Sequence, residues 1–282
     1  MSASDIQVQS CQVHDKVRPI FVCKHQEGTE TEKAGRSGAK YLATPHLNDE
    51  LVTLLAAGLC FKVTAKVDGT SVIVRNDELY KRRDRKPKWD KKQKKKVMKP
   101  MPSSWVLTGV QTETHGVGYM PLESGDTWFF DVFERDSETP DAVDEIGFPL
   151  VNGERSTRVR VLEVKDSKLQ YRFADLSELS GKSFELLGPK IQCNSHGLEY
   201  HALMEHGEII CKTYPDISSN TGESLLEEIR EWHRMDPLGQ AIEGVVLHFE
   251  NGKMFKLHRH HLDMPWGHQS VEDVTPITNL NY

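Results

Sequence analysis

The chain has 282 residues, with 36 basic and 42 acidic side chains and a formal net charge of −6, the size of one large domain or two small ones. Its apolar share of 37% is low, yet Leu, Ile, Val and aromatic residues recur throughout, so a core is expected and wholesale disorder is excluded. No apolar run reaches the roughly 18 residues of a membrane span, and residues 1–10 lack the basic start and apolar stretch of a secretory signal. Five cysteines, odd in number and without a CxxC pair, fit reduced thiols rather than a disulfide scaffold. An intracellular protein, cytoplasmic or nuclear, with no membrane attachment is the expectation.

In chain order, residues 1–37 read as a polar extension that ends in Ala34-Gly35-Arg36-Ser37-Gly38, and residues 38–282 as one domain. A helix is predicted over 48–58, with Asn48 as N-cap and Gly58 as stop. Short β-branched or aromatic runs predict strands at 61–67, 71–75, 105–111, 127–133, 158–164 and 168–173. Residues 222–235 carry Leu225, Leu226, Ile229 and Trp232 on one helical face, with Ser224 and Glu227 as a capping box. Near the C-terminus, Asn251-Gly252 between two apolar runs predicts a hairpin with a two-residue loop, pairing Leu247 with Lys256 and Val245 with His258. The pleat then sets Glu243, Lys256 and His258 on one face, where charged side chains in an apolar sheet call for a charged ligand. The pattern is that of a mixed, mainly antiparallel α+β fold.

The net charge conceals a segregation. Residues 81–99 hold 12 basic and 2 acidic side chains, a local +10, which leaves 24 basic and 40 acidic residues elsewhere, a net −16. Such a stripe reads as a solvated loop, an import signal or a contact for a polyanion. For a polyanion the candidate contacts are Arg83, Arg85, Lys86, Lys94, Lys95 and Lys96, next to Arg82.

Lys66-Val67-Asp68-Gly69-Thr70 stands where an apolar strand meets an Asp-Gly turn. A lysine there becomes a nucleophile only if its pKa falls, because at about 10.4 only about one amine in two thousand is neutral at pH 7. Lys256 or Arg82 is the cation expected to lower it, and Gly69 leaves room for a phosphate or ribose to approach the backbone. Alone, Lys-x-Asp-Gly reads as a strand end and a turn. It is followed in order by Arg82 in Arg82-Arg83-Asp84-Arg85, Glu185 in Phe184-Glu185-Leu186-Leu187-Gly188, Glu243 in Glu243-Gly244-Val245-Val246 and Lys256 in Phe255-Lys256-Leu257-His258.

That series resembles the motifs of the covalent nucleotidyltransferases, the ATP-dependent ligases and mRNA capping enzymes. Within them it is similar to the animal ATP-dependent RNA ligases that join a 5′-phosphate to a 3′-hydroxyl. Lys40-Tyr41-Leu42-Ala43-Thr44, Asp84-Arg85-Lys86-Pro87 and Lys256-Leu257-His258-Arg259-His260-His261-Leu262 add to the likeness, which spans about residues 38–267. The resemblance implies an antiparallel nucleotidyltransferase domain, a monomer, ATP and Mg²⁺ or Mn²⁺ as cofactors, and RNA ends as substrate. It implies that Lys66 attacks the ATP α-phosphate and Lys256 stabilises charge there. Glu185 and Arg82 would contact nucleotide, with Asp68, Gly69 and His258 completing the pocket, and Glu243 would hold the metal. His258 stands where many relatives have Lys, so its charge would depend on pH.

The 26 residues after Lys256 are too few for the C-terminal OB barrel of DNA ligases and capping enzymes, which favours an RNA ligase. The alternatives are a GTP-using capping enzyme or DNA ligase and, in another class, a non-catalytic RNA-end-binding protein. His196 and Tyr200 are candidates for adenine stacking, and Glu113 is the acid nearest the strand at 105–111. His258, His260, His261 and His268, or Cys11 with His14 and Cys23 with His25, fit no standard zinc spacing and read as structural or surface residues.

Overall fold

A computed structural model of the chain describes residues 17–26, 40–98, 100–112, 115–218, 221–266 and 275–282. In chain order its strands are β1 Arg18–Pro19, β2 Phe21–Gln26, β3 Lys40–Leu47, β4 Phe61–Lys66, β5 Thr70–Arg75 and β6 Glu78–Arg85. There follow β7 Lys88–Asp90, β8 Lys95–Val97, β9 Leu107–Gln111, β10 Gly116–Pro121, β11 Leu150–Val151 and β12 Glu154–Arg155. The last six are β13 Arg158–Lys165, β14 Lys168–Asp175, β15 Ser183–Leu187, β16 Ala202–Glu205, β17 Gly244–Phe249 and β18 Met254–His258.

Two sheets dominate this α+β fold. The smaller runs β1-β18-β17-β4, and the larger runs β14-β13-β16-β15-β5-β6-β10-β9. All their pairings are antiparallel except β1 with β18 and β13 with β16. Leu225, Leu226, Ile229 and Trp232 of helix Gly222–Met235 and Leu51 of helix Asp49–Ala56 pack with Val245, Leu247, Phe255 and Leu257 of the smaller sheet. Phe130, Val132, Phe133, Leu176 and Leu179 pack with Val72, Val74, Phe184 and Leu186 of the larger. A third cluster, including Val67, Leu187, Met204 and Ile209, forms where the sheets meet. No helix among the described residues is long and apolar enough to cross a membrane.

Several sequence expectations change. The segment read as a polar extension contributes residues 18–26 to the body: β1 extends the smaller sheet, β2 pairs with β3, and Ile20 and Phe21 are fully buried. The strand predicted over 127–133 is a short helix, Thr127–Phe130, followed by a single bridge from Phe133 to Val159. Trp128 is exposed while Phe130, Val132 and Phe133 are buried, so the apolar run does not alternate as a strand would. Asn48 caps its helix as expected, its Oδ1 accepting from the Glu50 N–H at 3.1 Å. The second long helix has Thr221, not Ser224, as its N-cap residue, with no side-chain cap bond.

The C-terminal hairpin is shifted by one residue from the predicted register. Gly244 faces His258 and Val246 faces Lys256, because the loop is Glu250-Asn251-Gly252. The Phe249 N–H donates to the Lys253 carbonyl at 2.9 Å, and Gly252 takes the left-handed conformation at φ 80°. One left-handed glycine closes a three-residue loop, whereas the two-residue turn needs positive φ at both central positions. The shift sends Val245 and Leu247 to the core and keeps Lys256 and His258 together on the other face.

Candidate active site

The chain crosses from one sheet to the other at Lys66–Thr70: Lys66 ends β4 of the smaller sheet and Thr70 begins β5 of the larger. Lys66, Gly244 and His258 form one cross-strand row, with Thr64, Val246 and Lys256 in the next. Partners across strands share a face, so Lys66, Lys256 and His258 lie on the face turned from the hydrophobic core. Gly244 stays small because a Cβ there would run into the Leu257 carbonyl oxygen and lie 2.9 Å from His258 Cα. Glu243 lies just before β17, where its N–H donates to the Lys66 carbonyl at 3.1 Å and its carbonyl accepts from the Arg259 N–H at 2.9 Å. Its side chain spans the gap above Gly244, pairing with Lys66 Nζ through Oε2 and standing 2.8 Å from His258 Nδ1 through Oε1.

The larger sheet supplies a second group. Glu185 on β15 faces Ser71 on β5, and Arg82 on β6 faces Tyr119 on β10. These four side chains share one sheet face by register. Ser71 Oγ lies 3.0 Å from Tyr119 Oη, and His206 Nε2 lies 2.9 Å from Glu185 Oε2. The Arg82 Nε–H donates to Asp84 at 2.9 Å.

Charge in the site is tightly coupled. Burial pulls the Lys66 ammonium pKa down, but Glu243, Glu185 and Asp68 outweigh it, so the pKa lies above its usual value. The expected depression by Lys256 or Arg82 is therefore absent from this arrangement. Burial alone would raise Glu243, yet the His258 imidazole and the Lys66 ammonium hold it down at about 2. Burial pushes His258 down to about 4, with Lys66 and Lys256 acting the same way against Glu243. It is thus a neutral imidazole at pH 7, not the pH-dependent cation expected. Burial, then Glu243, pushes Asp68 up to about 6.

The turn between Lys66 and Thr70 is clamped by His196, expected instead as a candidate for adenine stacking, and by Trp266, which the sequence did not mark. His196 is fully buried, and its Nε2 accepts from the Asp68 N–H at 2.7 Å while Nδ1 lies 3.1 Å from the Ala241 carbonyl oxygen. Burial lowers its pKa to about 4, which keeps the ring neutral for this role. The Trp266 Nε1–H donates to Asp68 Oδ2 at 2.9 Å. His196, buried with its ring 5.5 Å from that of Trp266, offers no open face for adenine, and Tyr200 lies elsewhere, under the Arg160 guanidinium at 4.8 Å from its ring centroid. Nothing in hydrophobic periodicity marks His196, Trp266, Tyr119 or His206 as site residues.

Packing also requires that Gly69 be small. A Cβ there would strike the Leu186 carbonyl oxygen and lie 2.7 Å from Glu185 Cγ and from Leu187 Cδ2, so the glycine lets the turn lie against β15. Gly69→Ala is expected to destabilise the fold by about 1–3 kcal/mol through overpacking, read as a lower thermal midpoint.

The basic run is a structured element. Lys81 is buried, paired with Asp126 and, at 3.1 Å, with Glu123, so it is part of the core and not of any polyanion surface. Arg83 and Arg85 alternate away from Arg82 on β6, and Arg85 Nη2–H donates to Gln111 at 3.0 Å. Lys86, Lys94, Lys95 and Lys96 are exposed, the last three on the ribbon formed by β7 and β8. The candidate RNA residues therefore lie on the far face of β6, just past its end and on the β7–β8 ribbon, and not on the face that carries Arg82.

His258, His260 and His261 have rings 4.6–5.2 Å apart, but among the described residues no three His, Cys, Asp or Glu are placed to hold a metal. Cys23 donates to the Phe21 carbonyl at 3.5 Å and His25 packs against Tyr41. Glu113, Cys11, His14 and His268 lie outside the described residues. The four described cysteines are free.

Comparison with known proteins places this site in context. A family model described as RNA ligase 1 matches residues 150–278. The chain is 30% identical to RNA ligase 1 of Mus musculus over 294 aligned residues, covering 90% of this chain and 82% of that protein. RNA ligase 1 of Rattus norvegicus matches with the same identity and coverage. RNA ligase 1 of Pongo abelii is 32% identical over 103 residues, 35% of this chain and 29% of that protein.

Proposed function

The chain belongs to the RNA ligase 1 family, and from that premise we propose that it is an ATP-dependent RNA ligase with a nucleotidyltransferase catalytic domain, joining RNA 5′-phosphate and 3′-hydroxyl ends through a lysyl-AMP at Lys66. The observation that carries this reading is the convergence on Lys66 of Glu243 from the smaller sheet and Glu185 from the larger. A strand-end lysine surrounded by carboxylates, on a turn clamped by His196 and Trp266, is held for a task beyond folding.

Lys66, once deprotonated, attacks the ATP α-phosphorus. An N–P bond forms, the bond to the bridging oxygen breaks, and pyrophosphate leaves. Lys256, on the same sheet face one row from Lys66, is a preplaced cation for the charge that develops on the α-phosphate. Arg82 and Glu185, on one face of the larger sheet, hold the nucleotide's sugar and phosphate side, with Asp68, Gly69 and His258 shaping the pocket around Lys66. AMP then passes to the RNA 5′-phosphate, and the 3′-hydroxyl displaces it to close the phosphodiester. Arg83, Arg85, Lys86, Lys94, Lys95 and Lys96 are the proposed backbone contacts.

Glu243 is a buried carboxylate, a donor suited to Mg²⁺ or Mn²⁺, which take carboxylate, water and phosphate oxygens together. Such an ion supplies neutralisation of the triphosphate. Glu243 would hold it, and in doing so would loosen its grip on the Lys66 ammonium. Free thiols suit the reducing interior of a cell.

The test is ligation of a 5′-phosphorylated RNA bearing a 3′-hydroxyl. Phosphatase-resistant circles or dimers are expected with ATP and Mg²⁺, and none with GTP or with nicked DNA in place of RNA. Joining of nicked DNA with equal efficiency, or no joining under any metal condition, overturns the substrate assignment.

A further inference from the structure

The ribbon of β7 and β8 pairs with neither main sheet. Its ten residues, 88–97, hold six lysines and one aspartate, and Asp90 is spent on the turn, its Oδ1 accepting from the Lys92 and Gln93 N–H groups at 2.8 and 3.0 Å. Trp89 sits among these lysines and is 62% exposed. It lies directly across from Lys96, so indole and ammonium occupy the same face of the ribbon. A two-stranded ribbon is marginal by itself, and a large aromatic left in water does nothing for it.

The geometry points to a binding finger for unpaired RNA: a base stacks on the Trp89 indole while Lys96 and the turn lysines Lys91, Lys92 and Lys94 meet the flanking phosphates. This rests on the RNA ligase reading and narrows its substrate. An aromatic platform in a basic groove takes any base whose face is free, and a base inside a duplex has none to offer. The ribbon is joined to the site through β6, which carries Arg82, and Trp89 is seven positions further along the chain, at most about 25 Å of chain. RNA whose reacting end lies at Lys66 would thus be held by unpaired nucleotides a short way in from that end. An overhang or open loop is then favoured over a blunt duplex.

Binding of fluorescein-labelled RNA tests this, with an unstructured single strand and a blunt duplex of equal length titrated across a salt series. For Trp89→Ala, binding of the single strand is expected to weaken roughly 5- to 100-fold, the worth of one stacked base, with the salt slope unchanged. Trp89→Phe should restore most of the loss. Lys94→Glu/Lys95→Glu/Lys96→Glu should instead flatten the salt slope, by about 0.7 for each phosphate that is no longer neutralised. Equal affinity of wild type and Trp89→Ala for the single strand, or equal losses on strand and duplex, overturns the proposal. A loss confined to anionic lipid vesicles would overturn it too, assigning the ribbon to membranes. Labelling of each variant by α-labelled ATP keeps the two readings apart. A labelled wild type with indifferent Trp89→Ala sinks the finger alone, and an unlabelled wild type sinks the ligase chemistry beneath it.

Discussion

Lys66→Ala is expected to reduce covalent retention of label from α-labelled ATP to background, and with it ligation of 5′-phosphorylated RNA. Lys66 is the amine held among Glu243, Glu185 and Asp68. Lys66→Arg should be equally inactive: it keeps a cation beside Glu243, but a guanidinium stays protonated at any pH the protein tolerates and presents no lone pair to phosphorus. Loss of charge alone therefore cannot account for both variants failing. Folding should survive Lys66→Ala, because Glu243 keeps His258 at 2.8 Å and the substituted position is a strand end next to a clamped turn. Given RNA whose 5′ end already carries AMP, both variants should regain joining, since that step needs no lysine nucleophile. Residual labelling of Lys66→Ala at wild-type level would end the assignment.

The order of the motifs was legible in the sequence because each depends on a short string: Lys66 to Thr70, Glu185 to Gly188, Glu243 to Val246, Lys256 to Leu262. What joins them was not. The residue in line with Lys66 is His258, and this follows from a three-residue loop that Asn251-Gly252 does not announce. Glu243 was expected to reach the site through the strand pleat, but it does so from a bend before β17, over a glycine that leaves the space clear. The roles of His196 and Trp266 arise from contacts to Asp68 across 128 and 198 residues, a separation at which no local pattern carries information. Strand β6 was hidden because its buried face is interrupted by Lys81, whose charge is matched by Asp126 and Glu123. A composition-based reading counts that lysine with the polyanion surface, and only burial shows that it belongs with the core.

The ion pair between Lys66 and Glu243 has opposite consequences for two measurements. Without nucleotide, Glu243 stabilises the ammonium and so suppresses the free amine. Glu243→Gln removes a full negative charge from a buried pair, and the Lys66 pKa should fall toward the value burial favours. Modification by an amine-selective reagent, followed at this residue by mass spectrometry between pH 7 and 11, should show its midpoint moved down by about one unit or more. That is at least about tenfold faster modification at pH 8. Formation of lysyl-AMP should move the other way, falling well below wild type even at saturating Mg²⁺, because the carboxylate that restrains the lysine is also the proposed metal ligand. A more reactive amine in a less active enzyme separates restraint from catalysis. If Glu243→Gln left the midpoint where it was, the carboxylate would not be what holds Lys66 protonated. If it left adenylylation untouched, the metal would have to be held elsewhere, with Asp68 and Glu185 as the remaining carboxylates acting on Lys66.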